Sequence, residues 1–340
     1  MLPNLDALRT FAVLLVLADH VLETLASLDG GSFHPFDRSL GRLGVLLFFV
    51  HTCFVLMRSL ERGEGSGWTL ARAFYVRRAF RIYPLAIVCV LGVVAAGVPA
   101  RPWEEFRFPD AFDLASNLLL VMNLTASPEV LVPLWSLPVE LQMYALLPAV
   151  FLIARSRDPA RLGAIYLLSL GAALALPLLS PRFGMVAYAP CFLAGVVGYA
   201  LTGRLAPRIP AWAWLPFLGA LASVFVALEK AAGGHHVPMQ AAACLAVGAA
   251  IPAFAQSTQA ALNRVTHAVA KYSYGIYLFH LPALWLAFYR LPLESRLAQS
   301  VVALVVLATL TIGGYHLIEA PMIRRGARIS QRFAQGWIAR

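Results

Sequence analysis

Long apolar runs separated by short polar segments make up most of the chain. An α-helix needs about twenty apolar residues to cross a bilayer. Runs of roughly that length predict ten transmembrane helices, near 7–27, 43–59, 82–99, 139–155, 162–180, 184–203, 211–229, 238–256, 274–292 and 298–318. The stretch 114–125 is too short to span comfortably, so it predicts one re-entrant or interfacial helix. The pattern therefore predicts an all-α, polytopic membrane protein.

The amino-acid composition agrees with this prediction. Of the 340 residues, 60% are hydrophobic and 13% are charged, whereas soluble domains carry about 25% charged residues. We expect a single membrane domain over residues 1–325 and a short basic tail over 326–340. The four cysteines lie in apolar runs without paired spacing, which favours small core residues over disulfides or metal ligands. No metal site is expected, since a His-Glu-x-x-His pattern is missing.

Lysine and arginine outnumber aspartate and glutamate by 27 to 17, and the basic residues cluster in particular loops. With a cytoplasmic N-terminus and ten spans, most arginines fall in inside loops and in the tail, as the positive-inside rule requires. If 114–125 also crossed the membrane, every later loop would invert and the tail would lie outside. We therefore expect both termini in the cytoplasm. This topology explains most of the net charge of +10 without a nucleic-acid partner.

Three ionisable residues, Asp6, Arg9 and His20, interrupt the first apolar run. Arg9 and His20 are eleven residues apart, which places them on one helix face and about 16 Å apart along its axis. Asp6 lies one turn before Arg9, close to the same face. Charge inside a membrane helix is costly and usually functional, and a neutral imidazole can act as a general base near pH 7. Glu23 can orient that imidazole; a buried structural histidine is the alternative.

A basic amphipathic segment leads into the third apolar run. Arg77 or Arg78 lies one helical turn before Arg81, and such a pair of guanidinium groups can bind a phosphate bidentately. A cluster of this kind on the cytoplasmic side is therefore a candidate phosphate site. The alternative is that these arginines only anchor the topology of the chain.

Two further segments place polar side chains at the starts of apolar runs. Trp135 precedes a run that carries Glu140, which has no cation close in sequence and must pair across helices or face water. The ninth run carries Tyr277 and His280, which can form a polar seam. A helix start with an aromatic belt residue, or ordinary interhelical hydrogen bonds, explains the same residues without a site.

Taken together and in this order, six segments of the chain resemble the motifs of the acyltransferase-3 family of integral-membrane acyltransferases. The residues that match are Leu5, Asp6, Leu8, Arg9 and His20; Leu47, Phe48, Phe49 and Val50; Arg77, Arg81, Ile82 and Pro84; Trp135, Ser136, Leu137 and Glu140; Ser273, Tyr274, Ile276, Tyr277, Leu278 and His280; and Leu317, Ile318, Glu319 and Pro321. The resemblance covers nearly the whole chain. The ordered set is specific, although each motif alone is not.

The sequence departs from the family pattern in two places. Where the family often has Leu-Ser-Gly-Phe, this chain has His51-Thr52-Cys53-Phe54, so a glycine is lost and a histidine is gained inside a span. This change either reshapes the acceptor cavity or reflects packing within a subfamily. Some relatives append an extracytoplasmic hydrolase-like domain, whereas we expect this chain to be a stand-alone membrane unit.

The resemblance implies transfer of an acyl group, commonly acetyl from cytoplasmic acetyl-CoA, to a hydroxyl of a carbohydrate or lipid-linked glycan of the cell envelope. It places the protein among membrane lipids, in a bacterial cytoplasmic (inner) membrane. In this hypothesis His20 is the general base, Asp6 and Arg9 position it or the thioester, and two further sets of residues have roles. Arg78 and Arg81, with Arg77 as a substitute, bind CoA phosphates, and Glu140, Trp135, Tyr277 and His280 line the substrate cavity.

A different class of protein has the same intramembrane charges and basic openings. A secondary transporter or flippase for a small polar or anionic solute uses these features equally well. Against that alternative, no inverted-repeat symmetry is visible in the sequence. The acceptor, the acyl length and the oligomeric state stay open at this point.

Overall fold

The computed structural model of the protein describes residues 2–30, 38–63, 67–234 and 236–338, with the backbone alone at 181–182 and 334–338. Thirteen α-helices lie in these ranges, which confirms the all-α class. They are α1 (Pro3–Leu28), α2 (Ser39–Glu61), α3 (Gly67–Ala96), α4 (Ala111–Leu119), α5 (Met122–Thr125), α6 (Ser136–Ala154), α7 (Pro159–Leu179), α8 (Ala189–Leu201), α9 (Trp214–Ala231), α10 (Val237–Ala253), α11 (Ala260–Trp285), α12 (Arg296–Gly314) and α13 (Ala320–Ile338). Short 3₁₀ turns at Val132–Trp135, Pro181–Tyr188 and Ala211–Ala213 precede α6, α8 and α9.

The ten predicted spans all coincide with helices, although their limits differ. Within the described ranges, eight helical stretches are long and apolar enough to cross a membrane, and α10 is a shorter apolar helix. The ninth span is predicted to begin at 274, but α11 begins at Ala260. The prediction misses the first half of α11 because Arg264, His267 and Lys271 interrupt its apolar pattern. The last span continues through a π-helical turn (Tyr315–Glu319) into α13, which runs across the boundary predicted at 325. That domain boundary stays a prediction.

The short stretch 114–125 forms two helices, α4 and α5, instead of one. Leu120 lies between them with φ of 54°, in the left-handed region that ends a helix. Asp110 begins α4 by accepting a hydrogen bond from the Asp113 amide at 2.8 Å. With nine and four residues, these helices extend about 14 and 6 Å. Neither is long enough for a hydrocarbon core of about 30 Å.

The helices form two compact units, each built from several segments of the chain. The first contains residues 1–23, 31–62 and 149–273, and the second contains 24–30, 63–148 and 274–340, as far as these ranges are described. All four cysteines (Cys53, Cys89, Cys191 and Cys244) are buried and free, which confirms their prediction as core residues.

Glycine contacts bring the helices of the first unit close together. A Cβ atom at Gly248 of α10 would overlap the carbonyl oxygen of Ala194 in α8, and one at Gly195 would overlap that of Val50 in α2. A Cβ atom at Gly44 of α2 would lie 2.6 Å from the Ala12 carbonyl oxygen of α1. Small residues allow helix backbones to approach in this way where the hydrophobic effect does not drive association.

We expect Gly248→Ala to destabilise the protein by about 1–3 kcal/mol, the usual cost of overpacking a filled interior. The matched control is Gly171→Ala in α7, where a Cβ atom meets nothing within 4 Å. The control should be neutral or raise stability by about 0.5–1 kcal/mol, because alanine favours a helix interior over glycine. Thermal unfolding in one detergent measures both changes. Equal melting temperatures for the two variants would contradict the close helix approach.

In the second unit, α3 packs against α13. It also contacts α12 and the part of α11 that begins at Tyr274. A Cβ atom at Gly326 of α13 would lie 2.6 Å from Cβ of Phe80 in α3. The hydroxyl of Tyr274 in α11 donates a hydrogen bond to the Ile82 carbonyl of α3 at 2.8 Å. These contacts fix the α3 segment that carries Arg77, Arg78 and Arg81.

Candidate active site

His20 lies near the end of α1, in the first unit, and is partly exposed. Its Nδ1 atom is 2.9 Å from the carbonyl oxygen of Val16, one turn earlier in the same helix. A carbonyl can only accept, so Nδ1 carries the hydrogen. In the neutral ring the basic lone pair is therefore on Nε2, the nitrogen that a general base would use.

Asp6 and Arg9 bind partners on the part of α11 up to Ser273, which belongs to the first unit. Nδ1 of His267 donates to Oδ2 of Asp6 at 2.9 Å, and Nε of Arg9 donates to Oγ of Ser273 at 2.6 Å. Thr10 adds a hydrogen bond to the Thr266 carbonyl at 2.8 Å. His267 was not among the predicted site residues, because its partner is 261 positions away and no local pattern links the two.

The structure therefore separates the predicted stripe on α1 into two parts. Arg9 and His20 are about 16 Å apart along the helix axis, which is too far for their side chains to meet. Glu23, predicted as a residue that orients His20, instead pairs with Arg38 of the same unit at 2.7 Å. The base at His20 is oriented by its own helix backbone.

His51 of α2 is 6% exposed and lies within electrostatic range of Arg9. Its Nδ1 atom is buried and has no hydrogen-bond partner in the part of the chain that the structure describes. Cys53 replaces the glycine that the family often has, and it lies against Gly195 of α8. A Cβ atom added to Gly195 would lie 2.8 Å from the Cβ atom of Cys53. The side chain gained at position 53 is thus accommodated by a glycine on the facing helix.

In the second unit, Arg81 of α3 forms an ion pair with Glu319. The Glu319 side chain is fully buried, and the Arg81 guanidinium also lies over the Tyr274 ring at 5.9 Å. The positive charge of Arg81 is therefore neutralised inside the protein. Glu319 belongs to one of the family motifs, but no local pattern predicts that its motif contacts the motif of Arg81, which lies 238 residues earlier.

Arg78 lies within electrostatic range of Glu140 and Tyr144 of α6. The Tyr144 hydroxyl donates a hydrogen bond to the Glu140 carboxylate. Nε of Arg78 is buried and, among the described residues, has no hydrogen-bond partner. Arg78 is therefore a cation from another helix within electrostatic range of Glu140. Arg77 is partly exposed on the neighbouring face of α3.

The remaining predicted cavity residues also belong to the second unit. The Tyr277 hydroxyl donates to the Pro133 carbonyl at 2.6 Å and lies 2.7 Å from Oγ of Ser136, so it holds α11 to the start of α6. Trp135 is partly buried in the 3₁₀ turn before α6. His280 places Nδ1 3.1 Å from the Ile276 carbonyl, the same arrangement as in His20, but it is only 1% exposed.

A comparison with known proteins identifies the family of the chain. A family model described as an acyltransferase domain matches residues 2–317, nearly the whole chain. The chain belongs to the acyltransferase-3 family. Integral-membrane acyltransferases make up this family, and the long apolar helices of the chain agree with a membrane protein.

Two curated relatives of this acyltransferase-3 protein carry activity names. Acyltransferase MdmB of Streptomyces mycarofaciens is 33% identical over 170 residues, which cover 47% of this chain and 42% of MdmB. YrhL of Bacillus subtilis (strain 168), named as a candidate peptidoglycan O-acetyltransferase, is 29% identical over 179 residues, which cover 48% of this chain and 26% of YrhL. The match thus spans less than half the length of either relative. No solved structure matches the chain.

Within this acyltransferase-3 chain, the candidate histidines His20 and His280 are distinguished by how exposed their side chains are. Both donate Nδ1 to a carbonyl four residues earlier, so each presents Nε2 as its basic atom when neutral. A general base must reach the hydroxyl whose proton it takes. His20 is partly exposed and His280 is buried, so the geometry favours His20.

Proposed function

We propose that the protein transfers an acyl group, acetyl in the simplest case, from acyl-CoA to a hydroxyl of a cell-envelope carbohydrate or lipid-linked glycan. The acyltransferase-3 family supports the acyl transfer, and the names of MdmB and YrhL support acyltransferase and O-acetyltransferase chemistry among relatives. The observation that carries the proposal is the fixed orientation of His20, which leaves Nε2 as the base of a partly exposed imidazole.

In the proposed reaction, Nε2 of His20 takes the proton of the acceptor hydroxyl. The hydroxyl oxygen attacks the thioester carbonyl carbon, and a new C–O bond forms. The C–S bond then breaks, the electron pair leaves with the CoA sulfur, and that sulfur receives a proton as the thiol. General-base assistance of this kind accelerates a reaction by about 10²–10⁴-fold.

The other predicted residues support this reaction without taking its proton. Arg9 is held by Ser273 and keeps a positive charge beside the buried His51, which suits a polar group of the donor or of the acceptor. Asp6, engaged by His267, fixes the same end of α1. Glu140 supplies a negative charge within electrostatic range of the Arg78 guanidinium.

For the CoA phosphates, Arg77 and Arg78 are the stronger candidates. Arg81 is part of the predicted set as well, but Glu319 already neutralises its charge. Charge-assisted hydrogen bonds to phosphate contribute about 1.5–3 kcal/mol each. Two arginines that act on the phosphates would therefore give a large and salt-sensitive part of the affinity.

We expect the double variant Arg77→Gln/Arg78→Gln to bind CoA at least about tenfold more weakly than the wild type, from the loss of these charge-assisted bonds. Calorimetry with CoA and transfer of labelled acetyl from acetyl-CoA measure the two parts of the proposal. The control variant Arg161→Gln/Arg204→Gln removes two exposed arginines of the first unit and should bind CoA normally.

Two outcomes separate the residue assignment from the function. Normal CoA affinity in a folded Arg77/Arg78 variant would reduce these arginines to topology anchors and leave acyl transfer intact. A wild-type protein that neither binds CoA nor releases acetyl from acetyl-CoA would contradict the proposed donor.

We place the protein in the bacterial cytoplasmic membrane with both termini inside. The support is the distribution of basic residues, including Arg58 in the last turn of α2, Arg62 directly after it, and the arginines of α13. A topology reporter fused after Arg328 should read as cytoplasmic. An extracytoplasmic signal would reverse this orientation.

A further inference from the structure

The last helix carries a basic face that acyl transfer does not use. Arg324, Arg325, Arg328 and Arg332 of α13, here called the arginine stripe, are all exposed. Their spacing places them within about 100° around the helix. No aspartate or glutamate occurs from 320 to 338. We propose that the arginine stripe binds the phosphates of anionic phospholipid headgroups at the cytoplasmic membrane surface.

The opposite face of α13 is held by α3, so the stripe is turned away from the protein. Gly326 lies against Phe80, and the Arg72 guanidinium of α3 lies over the Phe333 ring at 4.5 Å. Gly326 and Phe333 are seven residues apart and share a face. The four arginines point to the other side of the helix, where the side chains are exposed.

The stripe directly follows an exposed apolar part of the preceding helix. Leu310 and Leu317 are 40% and 78% exposed, on a helical stretch apolar enough to cross a bilayer. Arg324 follows Leu317 by seven residues, which is about 10 Å further along the same helical stretch. The arginines therefore begin just beyond the exposed leucines, at the depth of the headgroups, where basic clusters attract anionic lipids.

Other arginines of the chain have carboxylate partners within the protein. Arg42 is paired with Glu229 and Arg81 with Glu319. Over the described residues, no carboxylate pairs with any of the four stripe arginines. Anionic lipid is the complementary partner, because basic clusters near a charged membrane surface attract it.

The test uses the full-length protein, equilibrated in mixed micelles of phosphatidylcholine and phosphatidylglycerol, with native mass spectrometry of the retained lipids. The wild type should retain phosphatidylglycerol in preference to phosphatidylcholine. The variant Arg324→Gln/Arg325→Gln/Arg328→Gln/Arg332→Gln should retain at least about fivefold less of it. Glutamine preserves helix propensity, and the face towards α3 is unchanged.

The control removes four exposed arginines from the first unit, with Arg155, Arg161, Arg204 and Arg208 each replaced by Gln. It should keep the preference. Equal retention by the stripe variant and the wild type, or equal loss in the control, would overturn the proposal. So would a stripe variant that loses CoA affinity but keeps phosphatidylglycerol, because the stripe would then be a nucleotide site.

A second measurement avoids variants altogether, in case the four-residue change prevents folding. Binding to headgroup phosphates is electrostatic and is screened by salt. The wild type should lose its preference for phosphatidylglycerol as sodium chloride is raised to 1 M, where the Debye length is about 3 Å. A preference that is unchanged at high salt would also overturn the proposal. These readouts do not depend on acyl transfer.

Discussion

His20→Ala should lower acyl transfer by about 10²–10⁴-fold, the range that a general base contributes. His20 is partly exposed on α1 and its Nδ1 atom bonds to the carbonyl of its own helix, so the variant should fold and bind CoA normally. Acetyl transfer from labelled acetyl-CoA to envelope glycan, followed by mass spectrometry of the product, measures the loss.

Two further variants separate catalysis from packing. His20→Gln should not restore transfer, since an amide can keep a hydrogen bond but does not take the proton. His280→Ala should act mainly on stability, because His280 is 1% exposed. Normal transfer by a well-folded His20→Ala variant would refute the mechanism without affecting family membership. Equal loss of activity in both variants with normal folding would assign His280 a catalytic role.

Arg81→Ala should destabilise the protein by about 3–5 kcal/mol, because removing one partner leaves the fully buried carboxylate of Glu319 without compensation. Thermal unfolding in detergent, with the amount of folded protein recovered, measures the change. Arg77→Ala serves as the control, since Arg77 is partly exposed and lies on the same helix. Its effect on stability should be small.

The double variant Arg81→Gln/Glu319→Gln gives a sharper test of the ion pair. Removing both charges avoids the cost of an isolated buried ion, so the double variant should be more stable than Arg81→Ala. A non-additive recovery would show that the two residues interact directly. The matching single variants are Arg81→Gln and Glu319→Gln. If the double variant is destabilised by the sum of their two effects, the pair is not the reason for burying Glu319.

The span pattern could be predicted from the sequence because a bilayer fixes the length of apolar chain that crosses it. Eight of the helical stretches satisfy that length and hydropathy directly. The limits of α11 could not be predicted this way. Its first half carries Arg264, His267 and Lys271, and such residues are read as loop when only apolar length is counted.

The candidate site could be predicted as a set of residues but not as a set of contacts. The motif around Arg9 and His20 is local, and helical spacing alone places both on one face. Which partner each side chain takes depends on residues far away in the chain. Asp6 meets His267, Arg9 meets Ser273 and Arg81 meets Glu319, at separations of 261, 264 and 238 residues.

These pairings change the chemistry expected of each residue. The sequence analysis predicted the same role for Arg78 and Arg81. In the structure, Glu319 neutralises Arg81, whereas Arg78 lies within electrostatic range of Glu140. His20 and His280 have the same local hydrogen bond, and only burial distinguishes them. The apolar pattern was enough to predict the helices and the residues available for chemistry, because both follow from local composition and helix period. Which charges stay available depends on the packing of distant segments, because a buried charge must find its partner across helices.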